Sequence, residues 1–516
     1  MIEPTIFLGP PGTGKTTTLL DTVDMEMENG VPPDKIGFMT FTKRGVEEAV
    51  SRASARFKRP RKDFRYFNTL HSAAFRHLGI RSSDVFTGKR VQEFGESFGF
   101  EVRGSMSPID GTFSSFWGDD LILFLENMAR ITLVPFGQIL SLYDYAVPDS
   151  DRAWRIAKAM WDFKKEQGLY DFTDMIEEFI KLDDPPRLDV LIVDEGQDLS
   201  ELQWQMVMLL SRHVKRMYIA GDDDQTIFTW AGASERFITM PGKVQILKQS
   251  HRVPISVYGL ANRMINKVQN RRSKDWLPRD TPGTITPAEG ISVIDPSAFR
   301  SNGSVMMLGR TVKMLRQKFI PYCRHHGLPY RYFDANAIKT TNAEAIDAWL
   351  RLNKGEQVSA DRAMRVYDLL KSEGHSENPG VGKGGKGQLN RVAEQRDPPM
   401  VSLEELRHEY GLLAQGTWDK VLQLEPNDVL YIKKVMENGH NVLDEPNVHI
   451  STIHRVKGGQ ADTVVLLSDA AKASEKYFMT NQDEETRVFY TGVTRTYENL
   501  VIVQPSSRHH FERIFE

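Results

Sequence analysis

Gly9-Pro10-Pro11-Gly12-Thr13-Gly14-Lys15-Thr16 follows the apolar run Ile6-Phe-Leu8 and leads into Thr17-Thr-Leu-Leu20. A glycine-rich turn between a strand and a helix lets backbone N–H groups close around phosphate oxygens, and the helix N-terminus adds positive potential. The strand before and the helix after distinguish a working phosphate loop from a chance match to Gly-x4-Gly-Lys-Thr. In such a loop Lys15 neutralises β- and γ-phosphate charge and Thr16 ligates magnesium. The loop alone establishes that a nucleotide is bound.

Outward from it, short apolar runs alternate with helix-like text. Ile36-Gly-Phe-Met39, Val190-Leu-Ile-Val193 and Met217-Tyr-Ile-Ala220 have the near-continuous hydrophobicity of strands buried on both faces. Such alternation predicts a doubly wound parallel α/β sheet. A second set, Val244-Gln-Ile-Leu247, Val305-Met-Met-Leu308, Thr463-Val-Val-Leu-Leu467 and Leu500-Val-Ile-Val503, predicts a second α/β unit in tandem. The expected first unit comprises residues 1–84 and 169–246, interrupted by a helical insert at 85–168. The expected second unit comprises 247–333 and 446–516, interrupted at 334–445 by an insert with few strand signals. Within that insert His375–Gln388, including Gly380-Val-Gly-Lys-Gly-Gly-Lys-Gly387, reads as a flexible Gly-rich linker. Beyond it, Ser402-Leu-Glu-Glu405 reads as a capping box opening a helix.

At 516 residues, 40% hydrophobic and 26% charged, the chain has room for two to four cores and a soluble composition. A net charge of -3 excludes a globally basic protein, so any nucleic-acid track must be a local groove. The single cysteine, Cys323, excludes an internal disulfide and a Cys-based metal site, and reads as a buried small hydrophobe. No stretch approaches the roughly 20 apolar residues of a membrane span and no signal peptide is evident, so a cytoplasmic, non-membrane protein is expected. The adjacent pairs His325-His326 and His509-His510 lack ligand spacing.

Val190-Leu-Ile-Val-Asp194-Glu195 puts two carboxylates at the C-terminal end of a buried strand, where α/β sheets bind ligands. One carboxylate, Asp194, can hold magnesium. The next, Glu195, can position or deprotonate the attacking water.

Asp194-Glu195-Gly-Gln197-Asp198 resembles the DExQD box of superfamily 1 helicases, and the remaining motifs resemble the UvrD/Rep (PcrA-like) group in order. They are Thr40-Phe41-Thr42-Lys43, Asn68-Thr-Leu-His71-Ser72, Asp171-Phe-Thr-Asp-Met175 and Gly221-Asp222-Asp-Asp-Gln225-Thr-Ile-Phe228-Thr-Trp230-Ala-Gly232-Ala233. Gln249-Ser-His251-Arg252, Thr452-Ile-His454-Arg-Val-Lys457-Gly458 and Tyr490-Thr-Gly-Val-Thr494-Arg495 complete the series. The resemblance implies two tandem RecA-like P-loop domains, ATP and magnesium ion as ligands, and a nucleotide cleft between the domains. Gln225 would sense the γ-phosphate, and Arg252 and Arg495 would reach it from the second unit as arginine fingers. Phe41, Phe228 and Trp230 would stack on bases of single-stranded DNA. Thr42, Lys43, His71, Ser72, Thr452 and His454 would touch its backbone.

The implied activity is 3′-to-5′ movement on single-stranded DNA and strand separation at single/double-strand junctions, by a monomer that works with replication or repair proteins. The alternative is a translocase that displaces proteins or needs a partner to unwind. A P-loop switch without nucleic acid would leave the aromatic motif unexplained. The departures are Ala231 for the motif arginine, His251 for the adenine-stacking tyrosine, Gln460 for the ribose-binding glutamate, and no upstream glutamine motif, which together predict relaxed nucleotide preference. Of Asp222-Asp-Asp224, the motif demands only Asp222, and the run reads as a strand-ending turn.

Overall fold

The apolar runs pair as parallel strands. A computed structural model describes residues 2–40, 43–104, 116, 118–143, 146–147, 149–299, 303–370, 380–469, 481–506 and 515, without the side chains of Lys43, Arg44 and Glu48. Strands β1 (Thr5–Leu8), β2 (Ile36–Thr40), β3 (Phe67–Thr69), β4 (Val190–Val193), β5 (Arg216–Gly221) and β6 (Lys243–Ile246) form one sheet in the order β3-β2-β4-β5-β1-β6. Every pairing in it is parallel.

Period-two alternation divides its side chains between two cores. Ile6, Leu8, Leu191 and Val193 face one, which is closed by helices α3 (Leu70–His77), α8 (Phe172–Leu182) and α9 (Glu201–Leu210). Phe7, Val190 and Ile192 face the other, beneath α1 (Lys15–Glu28) and α2 (Lys43–Phe57). The hydrophobic pattern groups Val244–Leu247 with the second set of strands, although the expected first unit runs to residue 246. The structure instead pairs Val244 with Ile6 at the edge of the first sheet.

Two short strands, β7 (Gln249–Pro254) and β8 (Leu277–Arg279), pair beyond that edge. The second sheet uses β9 (Thr284–Ala288), β10 (Val305–Gly309), β11 (Tyr330–Tyr332) and β12 (Ala335–Asn336). After the insert, which carries the pair β13 (Val358–Ser359) and β14 (Met400–Val401), it adds β15 (Val448–Thr452), β16 (Ala461–Leu467) and β17 (Thr496–Val503). Its order is β12-β11-β15-β10-β16-β17-β9, with only β12 antiparallel.

The first insert is helical: α4 (Lys89–Phe98), α5 (Asp120–Thr132), α6 (Phe136–Leu142) and α7 (Ser150–Gln167) share one apolar core. Charges tie it to the motor. Arg130 of α5 donates to Asp171 (2.9 Å), Asp174 (2.5 Å) and Glu177 (3.0 Å). Lys164 of α7 donates to the same two aspartates, which also close a reciprocal capping box at the start of α8.

Glu126 of α5 is buried beside this network and accepts a bond from Trp161 Nε1 at 2.6 Å. Burial pushes its carboxyl up to about 7, against an ordinary value of 4.5. The folded state therefore binds the proton more tightly than the unfolded one, and stability falls as pH rises from about 4.5 to about 7. Glu126→Gln should raise the melting stability by roughly 1–3 kcal/mol at pH 8 and leave it unchanged near pH 4.5. Thermal melts at the two pH values check this; an equal effect at both would refute it.

The second insert is built mainly of helices, including Thr340–Asn353, Ala360–Asp368, Gly385–Ala393 and Pro426–Glu437, packed into one core with the second sheet. The expected linker corresponds to this only in part. Residues 371–379 lie outside the described residues, but 380–388 are packed structure. Val381 is buried and bridges Leu412, and the Gly385 Cα lies so close to the Tyr410 carbonyl that a Cβ would sit 2.2 Å from its oxygen. Glycine is used there for close approach rather than for slack. The Ser402–Glu405 capping box forms as expected, and Cys323 is buried against Met307. Among the described residues no helix is long and apolar enough to cross a membrane.

Candidate functional site

The phosphate loop leaves the C-terminal end of β1, and α1 starts directly after its cap residue Gly14, whose φ of 81° is left-handed. Gly9 is required because the Lys15 stem crosses it: a Cβ there would lie 2.1 Å from Lys15 Cγ. Lys15 Nζ folds back to donate to the Gly9 carbonyl at 3.1 Å, and stands 4.0 Å from Glu195. Thr13 caps the turn through the Pro10 carbonyl, and Thr17 is exposed at the helix start.

The neighbouring strand ends complete the floor. Thr16 Oγ1 donates to Asp194 Oδ2 at 3.1 Å. A hydroxyl and a carboxylate oxygen so placed, with no softer ligand near, fit a hard divalent cation such as magnesium. Burial, together with the adjacent Glu195 charge, pushes the Asp194 carboxyl up to about 7. A bound cation would reverse that shift. Desolvation acts on Glu195 as well, but Lys15 and Lys457 outweigh it and hold Glu195 well below the usual carboxylate range. Glu195 adopts φ 54°, a left-handed conformation costing a non-glycine roughly 1–2 kcal/mol. Its Oε2 accepts from Gln197 Nε2 at 2.6 Å, and buried Gln197 in turn accepts from the Asp222 backbone at 2.9 Å.

The second unit closes the cleft from above. Ser250 Oγ of β7 donates to the Pro11 carbonyl at 2.7 Å, and the His251 backbone donates to the Gly12 carbonyl at 2.8 Å. A Cβ on Gly12 would meet Arg252 Cβ at 2.4 Å, so this glycine admits the opposing strand. Arg252 Nε donates to Gln460 Oε1 at 2.9 Å, beside Gly458, while the His251 side chain is exposed. Desolvation lowers the Arg252 guanidinium to about 10. Arg495, fully buried, donates to the carbonyls of Thr491 and Gly459 and, at 2.5 Å, to Gln225 Oε1. Gln225 Nε2 donates to Asp222 at 2.6 Å. Lys15, Glu195, Gln225, Arg252 and Arg495, far apart in sequence, thus share one cleft.

Beside the cleft, Phe228, Trp230 and His454 stand with ring centroids 6.0–6.2 Å apart. Trp230 is more enclosed than a stacking platform suggests; it packs into the core of the first insert. Yet Trp230 Nε1, both ring nitrogens of His454 and Thr452 Oγ1 are buried without a hydrogen-bond partner. Unpaired buried polar groups are costly unless a ligand meets them. Burial lowers the His454 imidazole well below its ordinary value, so it stays neutral. His71 stands edge-on to exposed Phe172, 5.8 Å away, its imidazole lowered to about 4 by burial, and Ser72 is held by the Thr69 cap. Phe41, Thr42 and the Lys43 side chain lie outside the described residues.

Two groups escaped the sequence reading as site residues. Lys457 crosses from the second unit to Asp198 (2.5 Å) and the Gln225 carbonyl (2.8 Å), and lies 5.2 Å over the Phe228 ring. The run Asp222–Asp224 forms the strand-ending turn expected after β5, and is also wholly buried and paired with Lys274 and Arg271. The family motif was the available signal for Lys457. None existed for Lys274. Among the described residues no group of His, Cys, Asp and Glu forms a multi-ligand metal cluster.

Fold and site define a P-loop protein with two RecA-like domains facing across a nucleotide cleft. Residues 2–231 match the family model described as an AAA domain, and residues 447–503 match the UvrD-like helicase C-terminal domain. The chain is 22% identical to "Putative ATP-dependent DNA helicase YjcD" of Bacillus subtilis, over 98% of this chain and 77% of that protein. It is 26% identical to ATP-dependent DNA helicase PcrA of Bacillus subtilis over 54% of this chain, and 24% identical to DNA helicase II of Escherichia coli over 52%. The matched segments span 39% of each of those two relatives. The two matched segments and these relatives support a UvrD/Rep-type superfamily 1 helicase.

Proposed function

We propose that the protein is an ATP-dependent DNA helicase that moves 3′-to-5′ along single-stranded DNA and separates duplex at a single/double-strand junction. The observation that carries this reading is Lys457. Its ammonium group bonds Asp198 and Gln225 in the nucleotide cleft and covers the Phe228 ring beside it. One rigidly held cation thus ties the hydrolytic centre to the aromatic cluster, as a motor that couples hydrolysis to grip requires.

In this reading the loop from Gly9 to Thr17 cradles the phosphates, and Lys15 leaves the Gly9 carbonyl to meet them. Thr16 and Asp194 hold magnesium, which supplies neutralising charge to the phosphates when bound. Glu195 orients and deprotonates the attacking water, Gln225 reports the γ-phosphate, and Arg252 and Arg495 stabilise transition-state charge. Arg252 exchanges Gln460 for phosphate as the cleft tightens, and His251 and Gly458 border the nucleoside. DNA bases stack on Phe41, Phe228 and Trp230, while Thr42, Lys43, His71, Ser72, Thr452 and His454 meet the backbone. The unpartnered groups of Thr452, His454 and Trp230 support that placement, since a phosphate, sugar or base edge would satisfy them. Direction follows the resemblance in motif order.

The test is strand displacement on duplexes with 3′ or 5′ single-stranded tails, alongside hydrolysis with and without single-stranded DNA. Opening of the 3′-tailed duplex alone, with DNA-stimulated turnover, is expected; turnover indifferent to DNA would overturn the reading. A forked duplex left closed while bound protein is displaced would mark a translocase. Trp230→Ala should weaken single-stranded DNA binding by about 5- to 150-fold, the range of one lost stacking contact. Unchanged affinity in a titration would remove Trp230 from the track.

A further inference from the structure

Asp222, Asp223 and Asp224 are three consecutive carboxylates with almost no solvent exposure. Such a run is tolerated only if it is paired and hydrogen-bonded throughout. Among the described residues, the cations that meet it come from the second unit. Lys274 Nζ lies 3.3 Å from Asp222 Oδ1, 2.5 Å from Asp223 Oδ1 and 3.0 Å from Asp224 Oδ2. Arg271 forks onto both oxygens of Asp224 at 2.7 and 2.6 Å. The Arg272 backbone donates to Asp223 Oδ2 at 2.7 Å, and Arg487 Nε donates to the Asp223 carbonyl at 3.0 Å.

The consequence for catalysis runs through Asp222. Its Oδ1 faces Lys274 and its Oδ2 accepts from Gln225 Nε2 at 2.6 Å. An ionised carboxylate only accepts, and a guanidinium only donates. Gln225 therefore has one permitted orientation, its NH₂ toward Asp222 and its carbonyl toward Arg495, 2.5 Å away. Lys274, 3.3 Å from Oδ1, aims the Asp222 carboxylate so that Oδ2 meets the amide, and without it the amide loses the partner that prevents a flip.

We propose that Lys274 is a positioning residue for hydrolysis, setting the Gln225 amide through Asp222 while clamping the two domains at the base of the cleft. This rests on the hydrolytic reading above. The Lys274 ammonium is almost wholly buried and directed at the three carboxylates rather than at the phosphate loop, so its effect belongs in turnover rather than in nucleotide affinity.

Lys274→Met alone leaves buried charge uncompensated, so the test uses Lys274→Met combined with Asp223→Asn, which removes one charge of each sign. Asp222→Asn in the full chain is the second variant, leaving two carboxylates for the two cations. Both should melt as wild type does, with kcat for DNA-stimulated hydrolysis lowered at least about tenfold and nucleotide KM within about twofold. Wild-type kcat in either folded variant would overturn the inference, reducing Lys274 to a neutralising charge. A wild-type chain that hydrolyses no nucleotide would sink the proposed function itself, so the two failures are distinguishable.

Discussion

Glu195→Gln should lower the rate of nucleotide hydrolysis by about 10²- to 10⁴-fold, the range for a positioned general base, while nucleotide binding stays within about twofold. The substitution keeps the shape and can still accept from Gln197, whose amide lies 2.6 Å from Glu195 Oε2. What it removes is the ionised oxygen. Lys15 and Lys457 keep that oxygen charged against the pull of desolvation. The group is therefore a carboxylate over the whole physiological range, and the acid limb of the turnover profile belongs to another residue. Measured kcat together with equilibrium nucleotide binding checks the prediction. Turnover within about tenfold of wild type would assign the base elsewhere.

Arg495→Ala should cost about 10³- to 10⁵-fold in kcat, the range for an arginine finger. Arg495 is fully buried, and its hydrogen-bond partners are two backbone carbonyls and the amide oxygen of Gln225. None of these carries charge. Burial and neighbouring Arg252 disfavour the cation more than nearby Glu195 and Asp222 favour it, so a γ-phosphate arriving in the cleft would supply the hydrogen-bonded counter-charge that the guanidinium lacks. Arg495→Lys should restore little, because a point charge cannot reach three acceptors in a fixed fork. Rapid-quench hydrolysis, with melting curves to exclude unfolding, tests both variants. A loss smaller than about tenfold would leave Arg252 as the working finger.

These predictions centre on residues that motif order brought to notice, and the reason is physical. A phosphate loop, a strand ending in Asp194-Glu195 and a capping box such as Ser402–Glu405 are local devices. Their geometry is set by residues three to five apart, so a one-dimensional reading recovers them. The Gly380–Gly387 run misled because glycine serves both slack and close packing; only the Tyr410 carbonyl against Gly385 distinguishes the two. The strand Lys243–Ile246 misled because hydrophobicity specifies that a strand is buried but not which sheet receives it. Hydrogen-bonding to β1 decides that.

The phosphate loop's chemistry, the alternation that yields two parallel sheets and the order of the motifs were determined by the sequence by itself. Tertiary structure alone decided that Ser250 and Arg252 lie against Pro11 and Gly12, and that Lys457 reaches Asp198. It alone also made the strand-ending turn Asp222–Asp224 a buried partner of Lys274. The separation is one of range. Backbone propensity and side-chain period act over a few residues, whereas a buried charge is acceptable only where chain folding delivers its counter-charge. Here that counter-charge arrives from some fifty residues away for Lys274 and more than two hundred and fifty for Lys457.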